Sequence, residues 1–307
     1  MELKQRTLER EISCTGIGLH TGERVNLKIK PAPVNSGIKF IRKDIPKDPV
    51  IPVKPDNIFN TNRATDISNN GYKVQTIEHL MAALYGLGID NAVIELDGPE
   101  VPAMDGSAVS FVFMIQQYGG IKVQNAYKKF LVIKKPFKIK DEDKVICVYP
   151  SNELNIDYTI DFDHPLLRNQ KYKFNFSTVS FIKEISRART FGFLNEVEEL
   201  KKNGFAKGGS LDNAIVLDKF RVINPEGLRF KDECVRHKIL DFIGDLAIIG
   251  KPVIGYFVIE KSGHSLNHIM LKKLIKSRSY WKILSPKEKS SLKGIRFPAF
   301  GLDPIPA

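Results

Sequence analysis

Cysteine is scarce in this chain. Its three residues, Cys14, Cys147 and Cys234, are odd in number and scattered. That usage excludes a disulfide-stapled scaffold and fits a reducing compartment. Long apolar runs are also missing. The longest stretch, LAIIGKPVIGYFVIE, is interrupted by Gly250, Lys251, Pro252 and Gly255, too often for a spanning helix. The opening MELKQRTLEREISCTG lacks the apolar stretch of a secretory signal. These absences predict a cytoplasmic protein. Histidine occurs only six times, so each one counts in a search for chemistry. The rest is ordinary: 42% of the residues are hydrophobic, enough for a sizeable core without any stapling device. A length of 307 residues suggests two domains.

The formal net charge is +12. It is unevenly spread. From position 271 onward nine basic residues face two acids, a balance of +7 that leaves only +5 for the rest of the chain. Taken whole, the charge suggests a basic nucleic-acid-binding protein of ribosomal type. Taken by position, it describes a nearly balanced body with a basic tail. No aromatic-plus-basic RNA motif accompanies the charge.

The chain opens with strand patterns: residues 6–14, a turn at 16–18, then RVNLKIKPA with Val25, Leu27 and Ile29 alternating. Thr76 is placed to cap a helix over 77–84 that stops near Gly86 and Gly88, followed by the buried strand NAVIEL. A second helix follows at AVSFVFMIQQYG, and 119–129 reads as a linker. Beyond it come three strand patterns, a helix over 178–185, a mixed insert at 189–216 and a long helix over about 232–249. The strand VIGYFVIE and a helix from about Leu266 complete the pattern. Each half carries a histidine near the start of a helix that leads through glycine into a buried strand. This predicts an α+β protein of two related two-layer sandwich domains, 1–122 and 123–278, with helices packed together and the active site at their interface. The tail is 279–307.

On the helix RHKILDFIGDLAIIG, His237, Asp241 and Asp245 are four residues apart and share one face. A histidine and a carboxylate at this spacing can aim at one metal ion, or can simply pair on an exposed helix face. Glu78 stands beside His79, and a carboxylate next to a metal ligand can take a proton from water. The H-E-x-x-H order is absent, so any such site must be completed from elsewhere. His264, in the turn KSGHSLNH, can act as an acid if a carboxylate such as Asp245 fixes its tautomer.

The chain closely resembles the UDP-3-O-acyl-N-acetylglucosamine deacetylases, zinc enzymes of lipid A synthesis in Gram-negative bacteria. The resemblance runs to about Lys276 through QRTL, TGIGLHTG, PAP, TIEHLMAALYGLGIDN, PEVPAMDGSA, DFDHP, ISRARTFGF, GGSLDNAIV, GLRFKDECVRHKILDFIGDL and KSGHSLN. It implies one zinc on His79, His237 and Asp241, with iron(II) as the alternative ion in the cell. It further implies Glu78 as general base, His264 as cationic acid oriented by Asp245, and Thr190 and Lys238 beside the oxyanion. The implied substrate is an acylated UDP-sugar, and the implied state is a monomer with no nucleic-acid partner. Its acyl chain would follow an apolar passage at Leu19, Phe191, Leu194, Val197, Gly209 and Leu211. Lys238 and Lys261 would face the diphosphate, and Asp161 with Phe162 the nucleoside.

Three features complicate the resemblance. Ala206 stands where some relatives carry cysteine. Cys234 lies three residues before His237 and reads as a packed helix residue, since a thiolate ligand would close the open metal position. The basic tail has no family counterpart, and its lysines suggest either a solvated segment or peripheral contact of 272–296 with the anionic inner membrane.

Overall fold

The computed structural model describes residues 3–286 and 294–301. Alternating apolar residues build a five-stranded sheet, in the order Ile12–Ile17, Arg24–Pro31, Ala92–Leu96, Ile38–Arg42, Val50–Pro52. Only the pairing of Ile38–Arg42 with Ala92–Leu96 is parallel. Arg24–Pro31 buries Val25, Leu27 and Ile29 and turns Arg24 and Asn26 outward, the period-2 pattern of a one-sided strand.

Helix α1 (Glu78–Gly86) feeds this sheet, and all nine of its residues are buried. It is therefore a core helix with a polar start, not an amphipathic surface helix. Thr76 does not cap it. Thr76 sits at φ 56° and donates its hydroxyl to Glu100 Oε1 at 2.8 Å. The first turn is held instead by the Thr65 carbonyl, which accepts from Ile77 N–H at 3.1 Å. α2 (Val109–Met114) runs on into a wider turn, Ile115–Gly119. The expected linker at 119–129 is largely strand, because Ile121–Tyr127 pairs antiparallel with Lys4–Leu8 from the far end of the chain.

A seven-stranded sheet occupies the later residues. Its hub is Val253–Glu260, which pairs with Lys144–Tyr149 antiparallel and with Leu154–Ile160 and Phe130–Ile133 parallel. A strand covered on both faces reads as a nearly continuous apolar run, as VIGYFVIE does, and only Glu260 in it is exposed. Phe137–Asp141, Gln170–Asn175 and Trp281–Leu284 complete the sheet. α3 (Thr178–Ser180), capped by Ser177, continues as a wider turn to Ile185. α4 (Leu194–Lys202) lies in the insert, between strands Phe191–Phe193 and Ile215–Leu217, which pair in parallel. α5 (Glu233–Ala247) and α6 (His264–Lys276) follow, the latter starting two residues before the expected Leu266.

α5 packs against α1, and every α5 residue except Arg236 and Lys238 is buried. The exposed polar face of the sequence reading is therefore absent, and His237, Asp241 and Asp245 point into the protein. Closeness is set at Gly244, where an added Cβ would lie 2.1 Å from the Glu78 carbonyl oxygen. Cys234 is a packed residue whose thiol burial pushes up to about 12. The arrangement is a mixed α+β fold. Among the described residues no helix is long and apolar enough to cross a membrane.

Residues beyond 278 include elements that pack onto this fold. Trp281–Leu284 is a sheet strand, and Trp281 Nε1 donates to the Leu274 carbonyl at 2.8 Å. Phe300 is buried beside Lys128, its carbonyl accepting from Arg6 Nη2 at 2.7 Å. These stretches follow the fold rather than leaving it. Lys287, Lys289 and Lys293 lie outside the described residues.

Candidate active site

The α1–α5 contact brings His79 from one helix to His237 and Asp241 on the other. Their donor atoms all lie within 4.8 Å of one another, and all three residues are buried. Asp241 Oδ1 stands 3.2 Å from His237 Nε2 and 3.6 Å from His79 Nε2. It is buried yet takes part in no hydrogen bond, while Asp241 Oδ2 accepts from Lys238 Nζ at 2.7 Å. Burial holds the His237 imidazole down to about 3, so it is neutral. Its Nδ1 lies 3.0 Å from the Ala188 carbonyl, which can only accept, so Nδ1 carries the proton and Nε2 keeps a free lone pair. Two imidazole nitrogens and one unsatisfied carboxylate oxygen are the donor set of a divalent ion such as zinc, and the residues fit one.

Glu78, the first residue of α1, is buried beside this trio. Burial pushes its carboxyl up to about 7, partly offset by His264 and His79. His264 opens α6, and its Nε2 lies 3.7 Å from Glu78 Oε1 and 3.8 Å from Asp241 Oδ2. Its other nitrogen, Nδ1, is 2.9 Å from Asp245 Oδ2. Burial opposes the charge on His264, but the Asp245 carboxylate and its hydrogen bond, with Glu78 and Asp241, raise it to about 9. Asp245, although burial opposes its charge too, is held well below the usual carboxylate range chiefly by His264. A carboxyl that titrates near neutrality thus faces a histidine that stays cationic, the pairing a base and an acid need.

Glu78, His79, His237, Asp241 and His264 sit at the wall of a cavity of about 670 Å³. Thr190 and Lys238 line it, as do Leu19, Phe162, Phe191, Leu194, Val197, Gly209 and Leu211. No residue of α4 is buried, so its apolar stripe serves the cavity and not a core. Phe162 meets Phe191 edge-on, with ring centroids 5.6 Å apart. Lys261 and Asp161 stand outside the lining and pair with each other at 3.0 Å. Burial opposes the charge on Lys238, yet the Asp241 carboxylate raises its pKa overall.

Comparison with known proteins matches the LpxC family model, UDP-3-O-acyl N-acetylglycosamine deacetylase, to residues 5–276. The UDP-3-O-acyl-N-acetylglucosamine deacetylase of Saccharophagus degradans is 52% identical over 285 residues, covering 92% of this chain and 94% of the relative. That of Teredinibacter turnerae is 49% identical over 291 residues, covering 94% and 96%. One from Coxiella burnetii is 49% identical over 294 residues, with the same coverage. The chain belongs to this deacetylase family. Membership replaces the ribosomal-type alternative that the overall charge suggested.

Sequence reasoning missed several residues that this member of the deacetylase family brings to the site. Thr65, Asn267 and His268 surround Asp245, and His20 lines the cavity. One signal was available. His264 and His268 are four apart, the same spacing that singled out His237 and Asp241.

Proposed function

We propose that the protein hydrolyses the N-acetyl amide of UDP-3-O-acyl-N-acetylglucosamine, releasing acetate and the free amine in the committed step of lipid A synthesis. The observation that carries this is a family member's donor trio and acid–base pair meeting at one apolar cavity. His79, His237 and Asp241 hold a zinc ion, with iron(II) as the alternative in the cell. When bound, zinc supplies a Lewis acid and lowers the pKa of a coordinated water.

Glu78 takes a proton from the attacking water at its carboxylate. His264 delivers a proton to the leaving nitrogen, while Asp245 orients its ring and stabilises its charge. Thr190 and Lys238 face the developing oxyanion, which a partly buried cation stabilises more than a fully solvated one does. Leu19, Phe191, Leu194, Val197, Gly209 and Leu211 receive the acyl chain, consistent with their shared place in the cavity lining. Lys261 meets the diphosphate and the Asp161 and Phe162 segment the nucleoside. Support comes from Phe162 in the cavity lining, with its neighbour Asp161 paired to Lys261 at 3.0 Å.

In this reading the chain works as a cytoplasmic monomer of two sandwich domains, 1–122 and 123–278. Support comes from the sheets: the five-stranded one draws only on residues 12–96 and the seven-stranded one on 130–284. The basic side chains of the segment 272–296 are those offered to an anionic membrane surface. Sedimentation with anionic liposomes, for the full chain against a variant with the exposed Lys272, Lys273 and Lys276 changed to glutamine, tests that contact, and equal binding would remove it.

The decisive experiment is deacetylation of the acylated UDP-sugar with and without a chelator, alongside metal analysis. Activity that needs about one zinc per chain is expected. Full activity in metal-free protein would overturn the proposal.

A further inference from the structure

Thr65 is fully buried and stands just before the strand Asp66–Asn69. In the sequence it is one polar residue among others in NRATDISNN. In the fold three of its polar atoms are engaged at the site. Its carbonyl accepts from Ile77 N–H at 3.1 Å, in the first turn of α1. Its N–H donates to Glu78 Oε2 at 3.1 Å. Its hydroxyl lies 2.6 Å from Asp245 Oδ1, 3.0 Å from His268 Nε2 and 3.1 Å from His264 Nδ1. Among the described residues, Thr65 alone hydrogen-bonds both the Glu78 carboxylate and the Asp245 carboxylate that holds His264.

Counting protons fixes the directions. A hydroxyl has one hydrogen, and an ionised carboxylate can only accept, so that hydrogen goes to Asp245 Oδ1. His264 Nδ1 donates to Asp245 Oδ2, which also accepts from Asn267 Nδ2 at 2.8 Å. The lone pairs of the Thr65 hydroxyl are then free to accept, and His268 Nε2–H is the donor in reach. The other ring nitrogen of His268, Nδ1, is buried with no hydrogen-bond partner. A proton there would be an orphan donor in the interior, so His268 is neutral and carries its hydrogen on Nε2.

The same hydroxyl explains why a second histidine–carboxylate trio is not a second metal site. Asp245, His264 and His268 also have donor atoms within 4.8 Å of one another. The Thr65 oxygen lies within hydrogen-bond distance of all three, in the position an ion would take. The cluster is a hydrogen-bonded support.

We propose that Thr65 is a positioning residue that sets the base Glu78 and the acid His264 relative to each other, with His268 directing its hydroxyl. The proposal deepens the deacetylase reading and rests on it for the roles of Glu78 and His264. The backbone contacts of Thr65 survive most substitutions, whereas the hydroxyl contact can be removed alone. Without it Asp245 keeps its bonds to His264 and Asn267 through Oδ2 but loses the anchor on Oδ1, and the imidazole inherits that freedom.

Two measurements on the full-length, zinc-loaded protein test this. In the first, Thr65→Val, which keeps shape and removes the hydroxyl, is expected to lower kcat about 10- to 100-fold, with KM within about 3-fold and zinc content unchanged. Thr65→Ser is expected to restore kcat to within about 3-fold of the parent. Parental kcat in Thr65→Val, or equal losses in the Val and Ser variants, would overturn the proposal. Should Thr65→Val fail to fold, His268→Gln, which keeps a donor, and His268→Leu, which removes it, make the same comparison, and equal rates would overturn it. The second measurement is independent of activity: imidazole ¹⁵N shifts should report a neutral, Nε2-protonated His268 in the parent. A cationic or Nδ1-protonated His268 would refute the network even in an active deacetylase. The expected tautomer in a protein without deacetylase activity would leave the network standing and remove the functional reading.

Discussion

Two trios of the same composition, two histidines and one aspartate, lie next to each other along α5, and they behave oppositely. In the first, His79, His237 and Asp241 surround a carboxylate oxygen with no hydrogen bond. In the second, Asp245, His264 and His268 surround the hydroxyl of Thr65. The histidines diverge accordingly. Burial holds His237 down to about 3, because its one carboxylate neighbour, Asp241, is offset by His79 and Lys238. His264 meets the same burial but three carboxylates, Asp245, Glu78 and Asp241, and rises to about 9. Donor count therefore does not mark a metal site. What marks it is a set of lone pairs that no protein proton already uses.

The largest expected effect comes from breaking the first trio. His237→Ala and His79→Ala should each drop zinc stoichiometry well below that of the parent and cost about 10³-fold or more in deacetylation. Metal analysis of the purified variants checks this, and unchanged zinc would mean the trio is not the site. Next comes the base. Glu78→Ala should keep its zinc and lose about 10²- to 10⁴-fold in rate, whereas equal zinc loss would make Glu78 a ligand. In the second trio, Asp245→Asn should also leave zinc in place and lower kcat about 10- to 100-fold, because an amide is a poor anchor for a cationic imidazole. A zinc-depleted Asp245→Asn would erase the distinction between the trios. Smallest is the apolar wall. Val197→Ala removes two methyl groups from the cavity and should raise KM for a long-chain substrate several-fold at constant kcat, about 1 kcal/mol. A substrate with a much shorter chain should not register the change.

All of the first trio, and Asp245 and His264 of the second, are legible in the sequence, whereas His268 and Thr65 are not. His237, Asp241 and Asp245 announce themselves by helical spacing, and Glu78 with His79 by adjacency at a helix start. Alternation in RVNLKIKPA and the apolar run VIGYFVIE likewise gave strands that exist. Spacing could not tell that α5 is buried on nearly every side, since that follows from α1 lying across it. Thr65 carries no local pattern, and its partners Glu78, Asp245 and His268 come from three separate helices. Ile121–Tyr127 was read as a linker because a ribbon with most of its side chains partly exposed looks polar, and its partner is Lys4–Leu8. Trp281–Leu284 was hidden among lysines for the same reason: four residues suffice when Phe130–Ile133 already offers an edge.

Gly244 has a meaning beyond helix packing. The separation between α1 and α5 is gauged there by main chain against main chain, since a Cβ would run into the Glu78 carbonyl. Glu78 and His79 ride on one helix, and His237, Asp241 and Asp245 on the other. Any change in that gauge moves the proposed base and a proposed ligand together, by the same amount and in the same direction. Metal affinity and proton abstraction are thus tied to a single mechanical coordinate, and the smallest residue in the chain holds its zero.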